Sequence, residues 1–154
     1  MAAMRKMSRV AEIFLDASYV IALASKTDLH HARAVELATW LETSPVALVT
    51  TRAVVLEIGN SLAKQRYRRS AVLLLEAIEQ DARIDIVPLS EDLYASAASL
   101  YKRHADKEWG LTDCVSFILM RERGIQEALT TDTHFRQAGF RALLLSAGEP
   151  YLVV

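Results

Sequence analysis

The stretch EALTTDTHF, residues 127–135, passes from Ala128 and Leu129 through two β-branched threonines into a carboxylate, Asp132. A short apolar and β-branched run that breaks into polar residues reads as a buried strand, here EALTT (127–131). The acid stands where that strand gives way to DTHFRQAGF (132–140), a segment in which Gly139 stops a short helix. If other strands are followed by helices in the same way, the chain is an α/β protein.

AEIFLDAS (11–18) reads as a first strand built on Ile13, Phe14 and Leu15 and ending at Asp16. VALVT (46–50), IDIVP (84–88) and RALLL (141–145) supply further strands. Between them the period changes. Asp28 precedes a helix with Ala34, Leu37, Ala38 and Leu41 on one face, which Pro45 ends. Thr50 or Thr51 can cap a helix through RAVVLEIGNSLAKQ (52–65), and RSAVLLLEAIEQ (69–80) forms another. Ser90 caps a helix that opens with Glu91 and Asp92 and carries Leu93, Ala97, Leu100 and Tyr101 on one face. LTDCVSFILMRERG (111–124) is apolar nearly all round, so it is buried on several sides; Arg121, Arg123 and Gly124 close it. Short apolar strands alternating with helices give a parallel sheet covered on both faces.

The 154 residues suffice for a single domain with a full core, here placed over 1–154 with its centre in about 12–145. Eighteen basic and nineteen acidic residues nearly cancel, so any nucleic-acid site must be local. One cysteine, Cys114, excludes an internal disulfide and fits a reducing, cytoplasmic compartment. MAAMRKMSRV (1–10) lacks the apolar core of a signal segment, and no later run is long enough to span a membrane.

Functional groups of a parallel α/β sheet gather at the carboxyl ends of the strands, where Asp16 and Asp132 fall. Glu57 lies one to two turns into the helix after the second strand, with Ala53, Val54, Asn60 and Ser61 as its helical neighbours, and Asp113 lies in the first turn of the buried helix. Two carboxylates about 4 Å apart repel by about 4 kcal/mol at an effective dielectric of 20. Acids that share one crevice therefore take up protons or bind a cation, and oxygen donors suit Mg²⁺ or Mn²⁺. Singly, each has a plainer reading. Asp16 or Asp132 can cap the helix that follows, Asp113 can serve the helix dipole, and Glu57 can pair with Lys64.

FLDAS near the start, Glu57 in VLEIGN, WGLTDCVSF and ALTTDTHFRQAGF together resemble the PIN-domain ribonucleases, specifically VapC-type toxins of toxin–antitoxin pairs. The resemblance implies a three-layer α/β/α sandwich. It implies a Mg²⁺ or Mn²⁺ site in which Asp16 and Asp113 are direct ligands and Glu57 and Asp132 complete the set directly or through water. It also implies hydrolysis of RNA to a 5′-phosphate and a 3′-hydroxyl, a homodimer, and a small antitoxin that blocks the acidic groove, often with a basic side chain.

Other residues have two readings each. KQRYRR (64–69) offers Lys64, Arg66, Arg68 and Arg69 around Tyr67, either as a guide for an RNA backbone or as a solvated interhelical turn or antitoxin-docking edge. Thr112 and Ser116 can support the site around Asp113, and Thr112 can equally cap its helix. His30, His31, His104 and His134 lack zinc-hydrolase spacing and read as surface or helix-end residues, with the alternative that His134, two residues beyond Asp132, approaches a bound phosphate. Cys114 reads as a small buried hydrophobe and Trp109 as a packing anchor. Two other functions compete with the nuclease: a non-catalytic metal-binding receiver or interaction domain, and an aspartyl phosphotransferase. The latter commonly needs a second acid two residues on, which DAS lacks.

Overall fold

The computed structural model describes residues 9–151, so most of the N-terminal stretch MAAMRKMSRV lies outside the described residues. Five parallel strands form one sheet: β1 (Glu12–Leu15), β2 (Ala47–Thr51), β3 (Ile84–Val87), β4 (Glu127–Leu129) and β5 (Arg141–Ala142), in the order β3-β2-β1-β4-β5. Seven helices flank it among the described residues: α1 (Ala17–Ala24), α2 (His31–Thr43), α3 (Arg52–Ser61), α4 (Gln65–Gln80), α5 (Glu91–Arg103), α6 (Leu111–Arg123) and α7 (Thr133–Gln137). The three-layer α/β/α architecture is the expected one. Ile13, Phe14 and Leu15 are buried on both faces of the sheet, as a central parallel strand requires.

Order along the sheet determines where chemistry can sit. The chain moves outward from β1 to β2 and β3, then returns to the other side of β1 with β4 and β5. Connections diverge above β1 and β4 and leave a crevice at their carboxyl ends. The Asp16 N–H donates to the Leu129 carbonyl at 3.2 Å and locks the two strand ends together there.

Helix signals were mostly legible, with instructive exceptions. Thr51, not Thr50, caps α3 by accepting from the Val54 N–H at 3.2 Å; Thr50 instead donates to the Leu15 carbonyl. Ser90 caps α5 through the Leu93 N–H, but Tyr101 faces solvent rather than the buried stripe. Helix α1 was not anticipated, because ASYVIALA is apolar without a single clear stripe; Ala17, Tyr19, Val20 and Ala22 are all buried. RALLL is strand only over Arg141–Ala142, after which Leu143–Leu145 tighten into a 3₁₀ turn that drives Leu143 and Leu144 into the core. Helix α3 ends at Ser61, four residues short of its expected end, and α4 starts at Gln65 instead of Arg69. The run KQRYRR is therefore helix from Gln65 onward, which corrects the reading of it as an interhelical turn.

An aromatic cluster braces α6 against α7. Phe117 is fully buried, with Trp109 edge-on at 5.1 Å, Phe135 edge-on at 5.0 Å and Phe140 at 5.7 Å. Trp109 is the packing anchor expected of it, and its Nε1–H donates to Gln137 Oε1 at 3.0 Å. Cys114 is buried, and α6 closes on Gly124 at φ 70°, a left-handed position that glycine adopts at low cost.

Candidate metal centre

Asp16 occupies the N-cap position of α1, yet its side chain makes no capping bond. Its Oδ2 accepts from Ser18 Oγ at 2.8 Å and from Thr130 Oγ1 at 2.7 Å. The residue is only 6% exposed. Burial pushes its carboxyl above the usual carboxylate range, Thr130 and Ser18 pull it back, and the charge of Asp113 adds to the rise.

Thr130 and Thr131 sit past the last residue of β4, and their polar groups serve the crevice while the Thr130 carbonyl accepts from the Leu144 N–H at 3.3 Å. Thr130 Oγ1 also accepts from the Asp132 N–H at 3.0 Å, and the Thr131 N–H donates to Ser18 Oγ at 3.0 Å. Asp132 then caps α7, its Oδ1 accepting from the His134 N–H at 2.8 Å. Asp113, in the first turn of α6, accepts from the Gly110 N–H at 3.0 Å. Burial raises its carboxyl, Gly110 lowers it, Asp132 raises it further, and the His134 hydrogen bond and charge lower it.

The His134 ring stands between the two half-buried acids, its Nδ1 lying 3.3 Å from both Asp113 Oδ2 and Asp132 Oδ1. One ligand atom from each of Asp113, Asp132 and His134 lies within 4.8 Å of the others, a spacing that fits a cation. Glu57 reaches toward the same place from α3. Its carboxyl is pushed up to about 7 by partial burial first, and then by the charges of Asp16, Asp113 and Asp132. Each of the four predicted acids is thus coupled electrostatically to at least one other.

The Ser116 hydroxyl donates back to the Thr112 carbonyl at 3.1 Å. Thr112 lines a groove beside Glu57, together with Ala53, Asn60 and Ser61. Ser18, Thr130 and His134 contact the acids directly; the sequence suggests only His134, as a residue that could approach a bound phosphate. Their signal was adjacency alone, two residues from Asp16 or Asp132 in DAS, TTD and DTH.

A doubly wound parallel sheet with acids at its switch point defines the class. Residues 13–141 match the PIN domain family, and the chain belongs to it. It is 31% identical over 128 residues to the 23S rRNA-specific endonuclease VapC20 of Mycobacterium tuberculosis (strain ATCC 25618 / H37Rv), covering 83% of this chain and 95% of that one. The crystal structure of Mycobacterium tuberculosis VapC20, a sarcin–ricin loop cleaving toxin, is similar at a TM-score of 0.74 over the same shares of the two chains. The fold also resembles VapBC2 from Rickettsia felis, at a TM-score of 0.60 and 12% identity over 85% of this chain and 96% of that one. FitAcB from Neisseria gonorrhoeae gives 0.58 and 22% over 84% and 94%.

Proposed function

We propose that the chain is a Mg²⁺- or Mn²⁺-dependent endoribonuclease, the toxin of a type II toxin–antitoxin pair, and that it cuts 23S rRNA at the sarcin–ricin loop. The observation that supports this reading is the cluster of Asp113, Asp132 and His134 in a PIN domain, with Asp16 and Glu57 coupled by charge to acids of that cluster. The substrate is taken from VapC20, which the chain matches over 95% of that protein's length.

The donor set fits a hard divalent ion, because oxygen atoms dominate it and mutual repulsion calls for a cation. Asp16 and Asp113 would hold the ion, with Glu57 and Asp132 completing the set directly or through water. When bound, Mg²⁺ or Mn²⁺ supplies Lewis acidity to a phosphate oxygen and eases ionisation of the attacking water, giving a 5′-phosphate and a 3′-hydroxyl. Ser18 and Thr130 fix Asp16 in one orientation and favour its ionised form. Glu57, exposed along the groove, is the acid through which a proton can pass to solvent. Among the described residues no helix is long and apolar enough to cross a membrane. A cytoplasmic homodimer, held inactive by a small antitoxin that covers the groove, completes the reading.

Purified chain incubated with ribosomes in Mg²⁺, Mn²⁺ or EDTA tests it by mapping RNA 5′ ends. One dominant cut in the 23S rRNA loop is expected with metal, and none in EDTA or with Asp113→Asn. Intact 23S rRNA under both metals at excess enzyme would refute the assignment.

A further inference from the structure

The N-terminal part of α4 is built in a way that its own stability does not explain. Lys64, Arg66, Arg68 and Arg69 crowd around the first turn of a 16-residue helix that has no acid in that turn. Positive charge there opposes the helix dipole and its unpaired N–H groups. None of the four cations makes an ion pair among the described residues. Residues 63–70 are all exposed, and Ala71 is the first residue of the helix to be buried. The chain as a whole has a net charge of −1, so this local concentration of cations is set apart from the rest of the molecule.

The arm follows in sequence directly after α3, the helix that carries Glu57. A groove of about 550 Å³ runs along α3 past Glu57, Asn60 and Ser61, with Thr112 on its other wall. Ser61 ends α3, about 6 Å along the helix axis from Glu57 at 1.5 Å per residue, and the α3–α4 turn follows. Arg68 Nη2 donates to the Ala63 carbonyl at 2.7 Å and stiffens that turn, leaving Lys64, Arg66 and Arg69 free to meet a ligand. Tyr67, 41% exposed, has the Arg66 guanidinium carbon 4.7 Å from its ring centre. Arginine beside an exposed aromatic ring is suited to phosphate and base together.

We propose that this arm grips the RNA backbone next to the scissile bond, Lys64, Arg66 and Arg69 neutralising successive phosphates and Tyr67 stacking on a base. The acids that cut RNA also repel it, and the arm supplies the opposing attraction from the adjoining helix. The proposal rests on the ribonuclease reading.

The test uses the wild type, Lys64→Gln/Arg66→Gln/Arg69→Gln and Tyr67→Ala, with a fluorescein-labelled sarcin–ricin stem–loop RNA titrated in EDTA by anisotropy. With three phosphate contacts removed, the slope of log Kobs against log[KCl] becomes shallower by about 2 to 3. Tyr67→Ala weakens binding at every salt concentration without changing the slope. In Mg²⁺ the triple variant cleaves with raised KM and retained kcat, the signature of lost uniform binding. Its melting temperature is unchanged or higher, since the removed charges opposed the helix dipole. A wild-type slope in the triple variant overturns the proposal while leaving the nuclease intact. An unchanged slope with weaker self-association in sedimentation makes the arm a protein interface and overturns it equally. Wild-type protein that neither binds nor cuts the RNA defeats the ribonuclease reading itself.

Discussion

Glu57→Gln is the sharpest test of the crowded acids, because Glu57 is the carboxylate whose charge changes near neutral pH. Partial burial and three neighbouring acids push its carboxyl from an ordinary 4.5 to about 7 in the metal-free protein. The folded state then holds the proton more tightly than the unfolded chain does. That stabilisation is complete below about pH 4.5 and is lost as pH rises through about 7. At about 1.4 kcal/mol per pH unit, full coupling would amount to about 3 kcal/mol. Glu57 is exposed on its outer side, and solvent screening reduces the expected effect to about 1 kcal/mol. In a protein of this size that corresponds to about 2 to 4 °C in Tm. Thermal melts in EDTA at pH 5, 6, 7 and 8 measure it. Asp16 and Asp113 are shifted in the same direction, so the informative quantity is the difference between wild type and variant. Glu57→Gln is expected to lose less stability between pH 5 and 8 and to melt above the wild type at pH 8, and saturating Mg²⁺ removes that advantage. Parallel wild-type and variant profiles across this range would refute the electrostatic account.

Asp16→Ala abolishes RNA cleavage, and it removes the response of Tm to Mg²⁺; wild type at a hundred times its Kd for the ion gains about 2.7 kcal/mol. Retained cleavage together with metal-independent melting of the wild type would sink the shared site. Thr130→Val removes a donor to buried Asp16 and leaves the Asp132 N–H without its hydroxyl partner, costing about 2 to 3 kcal/mol in urea unfolding. Because the lost bond favours ionised Asp16, calorimetry should show Mg²⁺ affinity falling more at pH 6 than at pH 8; an equal loss at both would separate Thr130 from the charge state. Phe117→Ala empties the centre of the aromatic cluster and costs about 3 to 5 kcal/mol, and a loss below about 1 kcal/mol by urea melts would show that the cluster does not brace α6 against α7.

Strand and helix were legible wherever burial has one period. Ile13–Leu15 had to be a central strand, and α6 had to be enclosed, because no surface element tolerates so little polar surface. The reading weakened where tertiary contacts replace local pattern. Helix α1 is buried on several sides over eight residues and shows no stripe. The strand reading of RALLL failed because Leu143 and Leu144 are held by the core rather than by a ladder. For α4, exposed residues 64–70 carry no burial period at all, so its first turns read as a connection.

The four acids were visible for a related reason, and the side chains that orient them were not. A carboxylate at a strand end or on an apolar helix violates the usual distribution of charge, whereas Ser18 and Thr130 violate nothing, since hydroxyls are ordinary near strand ends. What the geometry adds is how each acid's bonding capacity is used. Asp16 sits at an N-cap position without capping, because Ser18 and Thr130 direct its Oδ2 into the crevice. Asp132 caps α7 through the His134 N–H and lies beside the His134 ring and Asp113, so the cap reading of EALTTDTHF holds and the same position leaves room for the proposed site role. The same helix start then brings the His134 ring between Asp132 and Asp113. Capping is therefore part of the site's construction: by fixing the first turn of α7, Asp132 places the imidazole that holds Asp113 from the other side.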